Sequence, residues 1–290
     1  MGHGIAQVFA VAGHTVRVFD PHNETLSSLR ERIEANLKDL NLDASAVNRV
    51  FPVNEISKCV SDTDVVFEAG PENLAFKQNL FSQLESIVPE RTLLASNTSV
   101  IPITNIMKRV NSGHRAMGTH WWNPPYLVPL VEVIKTPQTD SLLAKQMFDL
   151  LARVGKTPAM VEKDVPGFIG NRLQHALWRE AIALVASGVC DAETIDTVVK
   201  ASFGRRLPVI GPLENADLVG IELTLAIHET VLPAIDNESR PSPYLHKLIS
   251  DGRLGMKSGQ GFRTWTEKQQ ADLRAKVLTH LKAMNLADTQ

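Results

Sequence analysis

Residues 1–20, MGHGIAQVFAVAGHTVRVFD, run from a glycine-bearing helix that closes at Gly13 into a β-branched strand, Thr15–Asp20, ending on an acid. That order is the latter half of a dinucleotide-binding unit. In such a unit glycines let the helix N-terminus approach a pyrophosphate, and the acid accepts ribose hydroxyls. Gly2 and Gly4 are therefore candidate cofactor contacts, and Asp20 is the candidate ribose acceptor. A carboxylate there repels a 2′-phosphate, so NAD is expected rather than NADP. Asp20 could instead cap a helix beginning near Asn23, but its place at the end of a strand favours the ribose. A complete G-x-G-x-x-G fingerprint has further glycines and a first strand ahead of Gly2. The expectation is that roughly a dozen native residues, one strand and its turn, lie upstream of Met1.

Beyond Asp20 short β-branched runs alternate with helical patterns, as in a parallel sheet covered by helices. Strands are expected at Asp64–Ala69, Thr92–Asn97, Arg115–His120, Val131–Ile134 and Ala159–Glu162. Helices are expected at Glu24–Leu40, Leu74–Val88 and Ser141–Val154, the last with Leu142, Leu143, Met147 and Leu151 at helical spacing. After Asp164-Val-Pro-Gly167 the strands stop, and the chain reads as helices at Phe168–Ser187, Ala192–Ser202, Glu214–Leu232, Pro243–Ser250 and Thr266–Met284. The fold class is α/β: a doubly wound, Rossmann-type N-terminal domain over residues 1–165, followed by an all-α domain over 166–290.

The totals exclude several classes. With 290 residues, 43% hydrophobic and 21% charged, the chain is of ordinary globular composition and long enough for two domains. A net charge of −2, with no like-charge block longer than Arg205–Arg206, argues against nucleic acid as a partner. Cys59 and Cys190 lack metal spacing, so neither a disulfide framework nor a metal site is expected. Without an apolar run of about 18 residues or a signal peptide, no membrane association is expected and a cytoplasmic location is.

The chemical signal is Gly118-Thr-His120-Trp-Trp-Asn123-Pro-Pro-Tyr-Leu-Val-Pro-Leu-Val-Glu132. Pro124 and Pro125 turn the chain between two strand-like runs, so it can fold back and bring Glu132 to His120. A carboxylate accepting the second imidazole N–H fixes the tautomer and stabilises the imidazolium that forms when histidine takes a proton. Upstream, Ala95-Ser-Asn97-Thr-Ser99 ends a strand on the same side of the sheet. Ligands of open α/β sheets lie beyond the carboxyl ends of the strands, so Asn97, Ser99 and His120 should converge on one crevice. The simpler alternatives are a core histidine, a solvent-facing Glu132, and local hydrogen bonding by Ser99 and Asn171.

Six segments in order resemble the L-3-hydroxyacyl-CoA dehydrogenase family, including its lens-crystallin and gulonate-dehydrogenase-like relatives. They are Met1–Ala6, Glu68–Lys77, Ser96–Ser99, His120–Glu132, Pro166–Arg172 and Gly255–Phe262. The resemblance implies that His120 is the catalytic base, Glu132 its partner, and Ser99 and Asn171 hydrogen-bond partners around the reacting oxygen. It implies NAD contacts by Asp20, Glu72, Lys77, Ser99, Asn123 and Lys257, to which the crevice geometry adds Asn97. With the apolar stripe Leu173, Leu177, Ala181 and Val185 on one helix, it also implies a homodimer through the C-terminal helices.

The expected reaction is NAD-dependent oxidation of an L-3-hydroxyacyl-CoA to the 3-ketoacyl-CoA, with a small-molecule substrate as the partner. Two departures keep a free hydroxy acid, gulonate-like or carnitine-like, as the alternative. Asn123-Pro-Pro-Tyr-Leu-Val-Pro129 replaces the Asn-Pro-Val-Pro-Val-Met-Lys of the CoA enzymes, and the segment between Leu40 and Val50 is short where CoA would be received. A non-catalytic crystallin-like role would place no demand on His120 and Glu132 together.

Overall fold

A computed structural model describes residues 1–288. The chain divides into two compact units, Met1–Arg172 joined by the chain from Leu278, and Leu173–Val277. In the first unit, strands β1 (Val16–Val18) and β2 (Val50–Pro52) pair in parallel. A second sheet has the order β3 (Val65–Glu68), β4 (Leu93–Ser96), β5 (Ala116–Trp121), β6 (Leu130–Ile134), β7 (Thr157–Val161). Its pairs are parallel except β5–β6, which is antiparallel. A loop as short as Trp122–Pro129 cannot make the crossover that a parallel pair needs, so the proline turn returns the chain alongside β5. The helices of this unit are α1 (Gly2–Val11), α2 (Asn23–Ser27), α3 (Leu29–Asp39), α4 (Ile56–Val60), α5 (Leu74–Ile87), α6 (Ile103–Ile106) and α7 (Ser141–Arg153).

Successive strand residues point to opposite faces, so the sheet has a core on each side. Leu94, Ala116, Ile134 and Val161 pack with Phe81 and Leu84 of α5 and Ile103 and Ile106 of α6. Leu93, Ala95, Met117, Val131 and Val133 pack with Ile5, Val8 and Phe9 of α1 and Met147 and Leu151 of α7. Helix α7 forms because Asp140 accepts the Leu142 and Leu143 N–H groups and because Ala144, Met147 and Leu151 fall on one buried stripe. Truncating Met147 would cost about 2–5 kcal/mol through the cavity it leaves.

The second unit is helical, with α8 (Gly170–Ala186) entering it, then α9 (Ala192–Ala201), α10 (Pro212–Val219), α11 (Ile221–Val231) and α12 (Pro243–Ser250). The final helix is α13 (Glu267–Asp288). Among the described residues no helix is long and apolar enough to cross a membrane.

Several elements differ from the sequence expectation for identifiable reasons. The compact units divide at Arg172, a few residues past the change from strands to helices expected at 165/166. Phe168 is fully buried in the first unit's core, and the chain after it is tied down by Glu132. The expected helix Glu24–Leu40 is interrupted at Ser28, whose hydroxyl bonds the carbonyls of Glu24 and Thr25. The expected helix Glu214–Leu232 breaks at Gly220, which has φ 98°, a conformation open to glycine.

Candidate active site

His120 in β5 and Glu132 in β6 are direct partners in the antiparallel ladder, so their side chains rise from the same face. His120 Nδ1 lies 2.7 Å from Glu132 Oε2. The other carboxylate oxygen, Oε1, accepts the backbone N–H groups of Ile169 at 2.9 Å and Gly170 at 3.1 Å, where α8 begins. Burial alone would raise the Glu132 pKa. The hydrogen bond to His120 and those from Gly170 and Ile169 outweigh it and hold the carboxyl below its ordinary range. A helix N-terminus favours negative charge. Glu132 is thus a buried carboxylate kept ionised, and its bond to Nδ1 leaves His120 Nε2 as the nitrogen for chemistry.

Two aromatic rings flank the imidazole. The Phe168 and Trp122 rings lie 5.6 Å and 5.3 Å from the His120 ring, centroid to centroid. Phe168 takes the left-handed conformation, φ 52°, and is fully buried. That backbone costs a non-glycine residue about 1–2 kcal/mol, which burial of a phenyl ring, about 1.5–3 kcal/mol, offsets. Gly170 has to be glycine because a Cβ there would lie 2.5 Å from Trp122.

A cleft of about 410 Å³ is lined by Met1, Asn97, Ser99, His120, Trp121, Trp122, Asn123 and Asn171. It lies beyond the carboxyl ends of β4 and β5, and Met1 brings the N-terminal end of α1 to it. Asn97 accepts the Trp121 N–H at 2.9 Å through its side-chain oxygen, which presents its amide NH2 as the donor. The Ser99 N–H goes to Glu72 at 3.1 Å and its carbonyl accepts from the Asn171 side chain at 2.8 Å. Both bonds use the Ser99 backbone, so its hydroxyl is not spent on them.

Expected site residues fall into three groups. His120, Glu132, Ser99, Asn171, Asn97 and Asn123 come together around or directly behind the cleft. Glu72 and Lys77 stand behind the Ser99 turn. Glu72 accepts from the Thr98 hydroxyl and from the N–H groups of Ser99 and Val100. Burial pushes its pKa up, but those bonds and the nearby Lys77 charge bring it below the usual value. Lys77 is fully buried, with its ammonium on Glu68 at 2.7 Å. The third group does not line the cleft. Asp20 follows β1 and accepts the His22 N–H, and Lys257 belongs to the second unit in the turn Met256–Ser258. Gly2 has open space, with only the Ala69 Cβ as near as 4.0 Å from a Cβ placed there. Gly4 lets the Pro125–Tyr126 loop close on α1, since a Cβ would lie 2.8 Å from Pro125.

Glu68, Thr98 and Lys156 carry no expectation as site residues, and Trp122 reads from the sequence equally as core or as a lid against water. For Glu68 there was a signal, a charge closing the apolar run Val65-Val-Phe-Glu68, which needs a partner when buried.

Residues 1–165 match the family described as 3-hydroxyacyl-CoA dehydrogenase, NAD binding domain, and residues 167–265 match 3-hydroxyacyl-CoA dehydrogenase, C-terminal domain. The chain is 32% identical to 5-formyl-3-hydroxy-2-methylpyridine 4-carboxylate 5-dehydrogenase of Mesorhizobium japonicum, covering 98% of this chain and 94% of that protein. It is 38% identical to a probable 3-hydroxybutyryl-CoA dehydrogenase of Bacillus subtilis, covering 92% and 95%. The crystal structure of a 5-formyl-3-hydroxy-2-methylpyridine 4-carboxylic acid 5-dehydrogenase, described as an NAD+ dependent dismutase, superposes with a TM-score of 0.91 at 32% identity over 98% of this chain and 94% of that one. The chain therefore belongs to the 3-hydroxyacyl-CoA dehydrogenase family, as an NAD-dependent oxidoreductase acting on a CH–OH group.

Proposed function

We propose that this enzyme oxidises an L-3-hydroxyacyl-CoA, such as 3-hydroxybutyryl-CoA, to the 3-ketoacyl-CoA, with His120 as the base and Glu132 as the group that orients and charges it. The observation that carries this reading is the 2.7 Å contact between His120 Nδ1 and a carboxylate already held ionised by two backbone N–H groups. Bound NAD supplies the acceptor for the hydride leaving the carbinol carbon. His120 Nε2 takes the hydroxyl proton, and the negative Glu132 offsets the imidazolium charge as it forms. Base catalysis of this kind contributes about two to four powers of ten in rate. The Ser99 hydroxyl and the remaining Asn171 N–H meet the substrate oxygen as its charge changes. In the reverse direction the imidazolium returns its proton to the ketone oxygen.

For the cofactor, the α1 N-terminus with Gly2 and Gly4 faces the pyrophosphate and Asp20 the adenosine ribose. Asn97, Ser99, Asn123 and Glu72 line the nicotinamide end. The fit is supported by the polar cleft that Met1 and the strand ends share. We further propose a homodimer through the second unit. None of α8 to α11 has a buried residue, and α10 and α11 expose Leu213 (79%), Leu218 (75%) and Ile221 (59%). Free Cys59 and Cys190 fit a reducing cytoplasm.

A second reading has a small free carboxylate as substrate, a hydroxy acid or an aldehyde hydrate, in place of the CoA thioester. Two observations favour it. The superposition with the pyridine-carboxylate enzyme spans 98% of the chain. The segment between α3 and β2 also holds only the short 3-10 helix Ala44–Arg49, which offers little surface to CoA. NADH formation on 3-hydroxybutyryl-CoA, free 3-hydroxybutyrate, gulonate, carnitine and a carboxylated aromatic aldehyde separates the readings. Turnover only on acids or aldehydes that lack CoA would reject the thioester.

A further inference from the structure

We propose that Glu68, which has no part in the proton and hydride transfers, is a positioning residue that sets the cofactor-facing turn Asn97–Val100. The inference rests on the reading above, in which Asn97 and Ser99 face the nicotinamide. Glu68 is the last residue of β3, and its side chain is 1% exposed. Its carboxylate gathers donors from three separate parts of the chain. Lys77, from the first turn of α5, donates to Oε1 at 2.7 Å and to Oε2 at 2.9 Å. The Ser96 hydroxyl, at the end of β4, donates to Oε2 at 2.7 Å. The Gly70 N–H donates to Oε1 at 2.6 Å, and the Glu68 carbonyl accepts the Asn97 N–H at 2.8 Å.

The consequence is that the ends of β3 and β4 and the start of α5 are locked to one point. Lys77 also lies 3.7 Å from Glu72, which holds Thr98 and the N–H groups of Ser99 and Val100. One ammonium therefore ties together the two carboxylates that shape the whole Ser96–Val100 segment. A buried charge pair gains little net stability over an apolar pair, because desolvation consumes most of the attraction. What such a pair provides is a fixed geometry. Here that geometry is the direction in which Asn97 and Ser99 leave the end of β4. Asn73 supports it by capping α5 through the Phe76 N–H, which sets the first turn that carries Lys77.

The test uses the full-length enzyme with Glu68→Gln, Ser96→Ala and His120→Gln, each checked for folding by circular dichroism and titrated with NADH by its fluorescence. Glu68→Gln should weaken NADH binding by about tenfold or more, since small displacements of positioning groups carry penalties of that size. Its kcat/KM should fall in parallel. Ser96→Ala, which leaves the ion pair whole, should weaken binding about threefold, as for one lost hydrogen bond. A residue that only stabilised the fold would lower the melting temperature and leave the NADH affinity of the folded protein unchanged. Folded Glu68→Gln with parental NADH affinity overturns the proposal. If that variant does not fold, parental affinity in Ser96→Ala overturns it. His120→Gln should bind NADH normally and lose turnover. Retained turnover there would reject the functional reading, whatever Glu68 does.

Discussion

His120 and Glu132 face each other across adjacent antiparallel strands with Nδ1 and Oε2 2.7 Å apart, and the second oxygen of Glu132 is taken by the start of α8. The carboxylate therefore has its charge fixed before any substrate arrives. Replacing Glu132 with Gln keeps the size and can keep an acceptor toward Nδ1, but it removes the negative charge opposite the forming imidazolium. The kcat should fall at least about 100-fold, equivalent to roughly 2.7 kcal/mol of transition-state stabilisation. NADH affinity should barely change. The double variant with His120→Gln should be little worse than the worse single, because a base and its orienter act as a unit. Near-parental turnover by Glu132→Gln would take Glu132 out of the mechanism.

The second unit leads to a prediction about assembly. Leu173 and Leu177 on α8 are 59% and 41% exposed, alongside the exposed leucines and isoleucines of α10 and α11. Helices that expose this many apolar side chains usually pack against something. A second copy of the same chain is the simplest occupant, since an isologous contact covers both surfaces at once. Light scattering at micromolar concentration should give twice the chain mass of 31.9 kDa. Leu218→Glu should shift the protein toward monomer. A monomeric parent would reject the assignment.

What could be read from the sequence was what periodicity and spacing encode. The α/β order came from alternating patterns, and the approach of Glu132 to His120 came from two prolines between apolar runs. What escaped depends on contacts far apart in the chain. Strand Val50–Pro52 is three residues long and ends in proline, so it leaves no alternating pattern, yet it pairs with β1 over its whole length. Phe168 opens an expected helix of the C-terminal domain, yet its side chain is buried in the first unit's core. Asp20 could be named from its place at the end of a strand, Lys257 by resemblance alone, and the partnership of Lys77 with Glu68 left no mark in the sequence pattern. A side chain's neighbours decide such roles, and residue type does not reveal them.

Lys156 offers a test of how the loop between His120 and Glu132 is held. Its ammonium donates to the carbonyls of Pro125 at 2.6 Å and Val128 at 3.1 Å and lies 5.8 Å from the centre of the Trp121 ring. Burial lowers its pKa from 10.5 to about 8. The unfolded chain therefore binds a proton between about pH 8 and 10.5 that the folded chain has released. In that window unfolding takes up a proton, so the contribution of Lys156 to stability rises with pH. Below about pH 8 both states are protonated and the contribution is flat, at its least favourable value. Lys156→Met removes the titration and both carbonyl contacts. Urea unfolding of parent and variant at pH 7, 8.5 and 9.5 should give a stability difference that moves in the parent's favour as pH rises. Comparing the two proteins sets aside other groups that titrate in alkali, including Cys59 and Tyr126, whose pKa values burial raises. A difference that stays constant from pH 7 to 9.5 would mean that the lysine keeps its proton, and that its grip on the Pro125 and Val128 carbonyls does not weaken in alkali.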